Sequence, residues 1–305
     1  MLSSRLSDSI TTHSNSRISK VAISFLNKLE LLTAADKFSG TWKTLVERFS
    51  ACDLTYESDR LPAIGGLARR MKPLLDCRYL AGLWESELLS QLLWRWFGRT
   101  KIPKDEYLAP SWSWAAIPGE VHYDATTSVR NKRNRKFMDL AEVHQCATMK
   151  NVEVKTIDGS EMSQAISGYL QLSGSLLPSS IDSVYRIKVR NSLFNFSGDA
   201  EFFDDTFDNR TYYSVPLFYY KFDSKVKTEG LVLKHSGEKG QFERVGYFSD
   251  IDHLYYDGGD RDLNRHESWW SMIIGRGDDA EKALMTENLY EEYDEGSNRY
   301  TFTII

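Results

Sequence analysis

The feature that most constrains this chain is a change in the period of its apolar residues. Between Val21 and about Phe97 they recur at helical spacing: Trp42, Leu45, Val46 and Phe49 fall at i, i+3, i+4 and i+7, and Leu88, Leu89, Leu92, Leu93 and Trp96 make a second stripe. Each stripe predicts a helix packed by that face. Between them, Ser58-Asp59 followed by Leu61-Pro62 reads as an N-cap with proline in the first turn, so a helix is expected through Ile64, Leu67, Ala68 and Met71. Gly65 and Gly66 inside it cost about 1 kcal/mol each relative to alanine, which predicts a second backbone lying close to them.

After Pro103 the period shortens. Pro110-Ser-Trp-Ser-Trp-Ala115 places Trp112 and Trp114 on one side of a strand, and Pro118-Gly119 supplies a turn. Short β-like runs follow at Tyr169 to Leu172, Ser183 to Val189, Thr211 to Tyr220, Gly230 to Leu233 and Phe242 to Phe248. Pro216 inside one of them argues for an edge strand or a bulge. The tail adds Trp269 to Ile274, a helix from Asp278 to Tyr290 and a last strand from Tyr300 to Ile305. The expected fold is therefore α+β: an N-terminal helical segment packed on a C-terminal, mainly antiparallel β-domain, sandwich or barrel-like. Its divisions would be a flexible leader over 1–20, a helical region over 21–102 and a mainly β region over 103–305 with a C-terminal helix and strand.

With 305 residues the chain can bury a core without a disulfide or metal staple. Charged residues at 27% and a net charge of −5 exclude a wholly disordered chain and argue against a nucleic-acid partner. Cys52, Cys77 and Cys146 leave one thiol over in any pairing scheme and include no Cys-x-x-Cys, so free thiols in a reducing, cytoplasmic setting are expected. The leader holds seven serines, with Arg5 and Arg17 among hydroxyl residues as in a transit peptide but without a clear amphipathic face, and it lacks the apolar core of a secretory signal. The sequons at Asn195 and Asn209 are accordingly read as chance matches. No apolar run reaches the roughly 20 residues of a membrane span.

Motifs that carry chemistry fail in turn. The six histidines are scattered and no His-Glu-x-x-His occurs, so no metal ligand is assigned. The acidic stretch from Asp250 to Asp262 puts Tyr255 where a calcium loop needs glycine. Gly275-Arg-Gly-Asp-Asp-Ala280 matches a dinucleotide fingerprint in form, yet Asp278 and Asp279 would meet the pyrophosphate with negative charge. There is no Gly-x-Ser-x-Gly. The basic run Arg130 to Lys136 reads as a solvated loop, although its local field would also suit a nucleic-acid contact or a localisation signal. No catalytic, cofactor-binding or metal-binding residue is assigned, and no specific small molecule is expected. Two alternatives stay open: an enzyme with a dispersed site in the β region, hydrolytic or nucleotide-using, and a carbohydrate-binding β-domain using Trp112, Trp114, Trp269 and Trp270.

One resemblance emerges from the order of the segments. Trp42-Lys-Thr-Leu-Val-Glu-Arg-Phe-Ser50, Leu54-Thr55 and Asp59-Arg-Leu-Pro-Ala-Ile-Gly-Gly-Leu-Ala68 are followed by Tyr79-Leu-Ala-Gly-Leu-Trp84, Gln91-Leu-Leu-Trp94 and Ala109-Pro-Ser-Trp-Ser-Trp-Ala115. With Gly168-Tyr-Leu-Gln-Leu172, Gly230-Leu-Val-Leu233 and Phe242-Glu-Arg-Val-Gly-Tyr-Phe248, this succession resembles fungal heterokaryon-incompatibility (HET) domain proteins. The likeness is to the region that follows the HET domain; the motifs of that domain itself are missing. The resemblance implies a C-terminal fragment, a truncated paralogue or an incomplete gene model, linked to self/non-self recognition and programmed cell death. Its expected role is that of a non-enzymatic accessory or regulatory module working through protein partners, and no functional residue carries over. The bland reading of the same tryptophans is packing, since each removes about 150–250 Å² from water when buried. On that reading Leu61-Pro-Ala-Ile-Gly-Gly66 would pack on a cluster of Trp84, Trp94, Trp112 and Trp114 holding the helical part to the β part.

Overall fold

The computed structural model describes residues 35–98, 107–123, 140–189, 192–199, 210–222, 226–249 and 285–305. The leader, the basic run Arg130 to Lys136, the acidic stretch Asp250 to Asp262, the run Trp269 to Ile274 and Gly275 to Ala280 lie outside the described residues. The architecture is α+β, with the helices in the N-terminal region and a large, mainly antiparallel sheet. The chain divides into two compact units: Met1–Val129 with Val154–Gly168, and Arg130–Glu153 with Tyr169–Ile305.

In the first unit, α1 (Ala35–Ser50) buries the expected stripe of Trp42, Leu45, Val46 and Phe49. After the 3-10 turn Glu57–Asp59, α2 (Arg60–Leu75) begins where the proline signal placed it. Asp59 makes no side-chain cap bond; instead Arg60 reaches Glu57 at 3.1 Å and the carbonyl of Gly119 at 3.0 Å. The helix ends at Asp76, which takes a left-handed conformation at φ 45°. Of the two glycines in α2, only Gly65 meets a neighbouring backbone, because a Cβ there would lie 2.5 Å from the Met162 carbonyl oxygen. Gly66 has open space.

Two expectations are corrected in this unit. The stripe from Leu88 to Trp96 is not one helix: a 3-10 turn (Glu85–Glu87) leads into a single helical turn, α3 (Leu88–Gln91), and the chain then extends. This arrangement still buries Leu88, Leu89, Leu92 and Leu93, so a nine-residue stripe does not distinguish a helix from a turn followed by a strand. β1 (Tyr79–Leu80) and β2 (Leu83–Trp84) form a tight hairpin, while β3 (Trp94–Trp96) pairs with β4 (Val121–Tyr123). The backbone of β4 is tied to α1, for Val121 N donates to Ser50 Oγ at 3.0 Å and Tyr123 N to Glu47 Oε1 at 2.8 Å. Trp112 and Trp114 do not sit on a strand. Ser113 caps a 3-10 turn (Trp114–Ala116) by accepting from Ala115 N, and that side-chain bond competes successfully with the extended conformation.

The second unit contains a closed barrel. In spatial order its strands are β10 (Ser192–Gly198), β9 (Arg186–Val189), β8 (Leu177–Ser183), β11 (Tyr212–Phe222), β12 (Val226–His235) and β13 (Gln241–Ser249), each antiparallel to the next. β10 closes the ring on β13 through Asn195↔Ser249 to Gly198↔Gly246. Closure removes the edges that an open sheet would expose. Ile187 with Val189, and Phe194 with Phe196, repeat at the two-residue strand period and share a core with Leu177, Tyr212, Tyr219, Val232, Val245, Phe248 and Cys146. β5 (Leu140–Gln145) adds to β11. β15 (Arg299–Ile304) joins β13 by a short parallel pairing and carries β14 (Glu292–Asp294), β7 (Ala165–Gly174) and, beyond β7, β6 (Thr148–Thr156).

Three further expectations are refined here. Pro216 lies in a bulge, where the register shifts between Pro216 and Phe218, and its strand has neighbours on both sides, so the edge alternative is wrong. The run Ser183 to Val189 is a hairpin, because β8 stops at Ser183 and β9 starts at Arg186. In the described part of Asp278 to Tyr290, Glu287–Leu289 is a 3-10 turn and not a helix end. No helix among the described residues is long and apolar enough to cross a membrane.

Candidate functional site

The densest convergence of sequence-distinctive residues is around the turn of the β1–β2 hairpin. Ala81 at φ 45° and Gly82 at φ 93° both take positive φ, the geometry of the tight turn whose twist matches its strands. Its carbonyls face into the unit. That of Gly82 accepts both the Trp42 and the Trp114 indole N–H, each at 3.0 Å, and that of Ala81 accepts Ser113 Oγ at 2.6 Å. Glycine is required at 82 twice over, since a Cβ would stand 2.5 Å from Trp114 Nε1. Around this point Trp42 packs edge-on to Tyr79 and Trp84, Phe49 packs edge-on to Trp114, and the Arg60 guanidinium lies 5.4 Å from the Trp114 ring centroid. Trp94 Nε1 donates to the Trp112 carbonyl at 3.2 Å, and Gln91 Oε1 accepts from Trp84 N at 3.0 Å.

Burial decides what this cluster can do. Trp42, Trp94, Trp112 and Trp114 are 0% exposed and Trp84 2%, so none offers a face for stacking a sugar or base. The share of Trp112 and Trp114 in a carbohydrate platform is therefore excluded; Trp269 and Trp270 lie outside the described residues. Burial pushes the Tyr79 hydroxyl far above its ordinary range and lowers Arg60, against which the Glu57 carboxylate acts. The packing expected of Leu61 to Gly66 is met in part: Leu61 closes on Gly82, but Gly65 faces Met162 instead of a tryptophan. The cluster is internal to the first unit.

Among its described residues the second unit holds two buried charge groups that sequence reading missed. On β12, Glu229 is 0% exposed and takes Lys227 Nζ at 2.7 Å together with the Tyr247 hydroxyl from β13. At the end of β10, Asp199 takes Arg244 Nε at 2.9 Å; desolvation outweighs this partner and raises the carboxyl above its usual range. A strand-interior Lys-x-Glu and a lone Asp after Gly198 look like exposed alternation in sequence, so no local signal marks them. Buried pairs of this kind contribute little net stability but are costly to break by removing one partner. Cys146 belongs to the barrel core, and burial pushes its thiol up to about 12, the opposite of an activated nucleophile. Among the described residues no group of three His, Cys, Asp or Glu side chains is arranged to hold a metal ion. Asn195, the sequon residue in the described part, stands within β10 with a buried amide nitrogen. Comparison of the chain with protein-family models, with curated proteins and with solved structures finds no match.

Proposed function

We propose that this chain is a non-enzymatic accessory or regulatory module of the heterokaryon-incompatibility type, acting through protein contacts in self/non-self recognition and programmed cell death, in the cytoplasm. The observation that supports it is the fate of the family-like segments. Those from Trp42 to Ala115 fall in one unit and direct their distinctive residues to a common core around Gly82, with Trp42, Trp84, Trp94, Trp112 and Trp114 in backbone hydrogen bonds or ring contacts. Residues used in this way position a scaffold. Cys52, Cys77 and Cys146 form no disulfide, which suits a reducing compartment.

The test is expression in a fungal host, alone and together with a protein carrying a HET domain. Growth is expected to be unchanged by the chain alone, and the death response to the co-expressed effector is expected to change. Toxicity of the chain alone, or cleavage of NAD by the purified protein, would overturn the assignment.

A further inference from the structure

The ribbon formed by β6 and β7 ends in a tip that is shaped by its own bonds. Ile157 N donates to the Gln164 carbonyl at 3.0 Å, Asp158 Oδ1 accepts from Ser160 N at 2.9 Å, Ser163 N donates to the Ser160 carbonyl at 3.0 Å, and Gly159 turns the chain at φ 77°. The seat for this tip is α2 with the start of β1. Gly65 provides a notch for the Met162 carbonyl that any Cβ would fill, and Glu161 pairs with Lys72 Nζ and accepts from Tyr79 N at 3.3 Å. Met162 and Ala165 are thereby buried, at 7% and 1% exposure.

The rim of the seat is wet: the Lys72 and Glu161 side chains are 43% and 33% exposed, and an ion pair so placed holds weakly. β7 meets β15 only from Leu170 to Gly174, and among the described residues β6 has β7 as its sheet neighbour. The outer ribbon, Val154–Gly168, can therefore leave its seat without breaking another ladder. A tip that keeps its form when released fits the same seat on another molecule as well as on its own, which is the condition for exchange of an element between identical chains. Ile157 and Ile166, 67% and 54% exposed on the same ribbon, add apolar surface for a copy-to-copy contact.

We propose that the β6–β7 tip is exchangeable and that its partner is a second copy of this chain, each tip seated on α2 of the other. Two experiments on the full chain test it. In the first, 14N- and 15N-labelled wild-type protein are co-incubated over a range of concentrations and treated with a carbodiimide, which joins the Lys72 amine to the Glu161 carboxylate. Mass spectrometry is expected to show mixed-isotope Lys72–Glu161 peptides rising with concentration toward about half of the cross-linked product, the statistical share for full exchange. Only same-isotope peptides at the highest soluble concentration would overturn the proposal. In the second, Lys72→Glu and Glu161→Lys each place like charges at the seat, and only a mixture of the two can restore both pairs, by exchange. Light scattering should find a mass that rises with concentration from the monomer toward twice that value in the mixture, and the monomer mass in each variant alone. A mixture of folded monomers would overturn the proposal, and where either variant does not fold the isotope experiment decides.

Discussion

Replacing Gly82 with alanine tests whether the hairpin turn organises the first unit. At φ 93° an L-residue is strained by about 1–2 kcal/mol. The new Cβ would stand 2.5 Å from Trp114 Nε1 and 2.9 Å from its Cε2, and the indole cannot withdraw freely because Phe49 and Arg60 pack on it. Overpacking of a filled core typically costs about 1–3 kcal/mol. Any shift also lengthens the Trp42 and Trp114 bonds to the Gly82 carbonyl, and a buried indole N–H left without an acceptor costs about 1–3 kcal/mol. These effects overlap, so Gly82→Ala is expected to destabilise the unit by about 3–5 kcal/mol, a large part of the roughly 5–15 kcal/mol that holds a domain folded. Urea unfolding followed by tryptophan fluorescence measures it well, because six of the eight tryptophans lie between Trp42 and Trp114. Gly66→Ala is the internal control: its exposed helical position has nothing within 4 Å of a Cβ, and alanine there should stabilise by about 0.5–1 kcal/mol. A Gly82→Ala protein within about 0.5 kcal/mol of wild type, or two glycine variants shifted in the same direction, would refute the reasoning.

Other consequences can be measured on the same material. Trp112→Ala should cost about 3–5 kcal/mol, since it empties a fully enclosed position against Trp94; cooperative unfolding at the wild-type urea midpoint would contradict that. The folded carboxyl of Asp199 is raised, so the stability it contributes is fully present below the unfolded value of 3.8 and is lost as pH rises through the folded value. Wild type should accordingly gain on Asp199→Asn as pH is lowered from 7 toward 4, read from paired urea titrations; a gap that is constant or narrows would show that Arg244 outweighs burial. Cys146 should resist a thiol reagent at pH 8 while the half-buried Cys52 and Cys77 react, giving two fast thiols in the native protein and a third only on unfolding. Three fast thiols would mean the barrel core is open.

What could be read from the sequence was local. The stripe of Trp42, Leu45, Val46 and Phe49, the proline start of α2 and the runs that became β7, β11, β12, β13 and β15 each carry their own period, and the structure keeps them. Leu88 to Trp96 was ambiguous for a physical reason: one helical turn followed by an alternating strand buries the same leucines as a helix does. Alternation also misread Trp112 and Trp114, because the deciding bonds lie elsewhere in the chain. Ser113 Oγ answers to the Ala81 carbonyl and Trp114 to that of Gly82, both 32 residues away. Barrel closure through β10 and β13 has the same character, as does the pairing of Asp199 with Arg244, 45 residues away.

The same contrast bears on function. A catalytic residue must meet its substrate, so a site built from the distinctive segments would leave some of them at a surface. In the first unit they converge on a backbone carbonyl pair, and the residue types that made the segments recognisable, indoles flanking small residues, are those that a hydrogen-bonded turn demands: glycine for positive φ and close approach, serine to reach a carbonyl, tryptophan to bring both area and one donor. Such a pattern holds a particular backbone in place and is indifferent to the reaction, if any, that the backbone serves. Segments selected for this task identify a scaffold more sharply than an activity. Among the described residues the ribbon tip on α2 is an element held by an exposed ion pair and a complementary glycine notch, so a surface for contact is to be sought there.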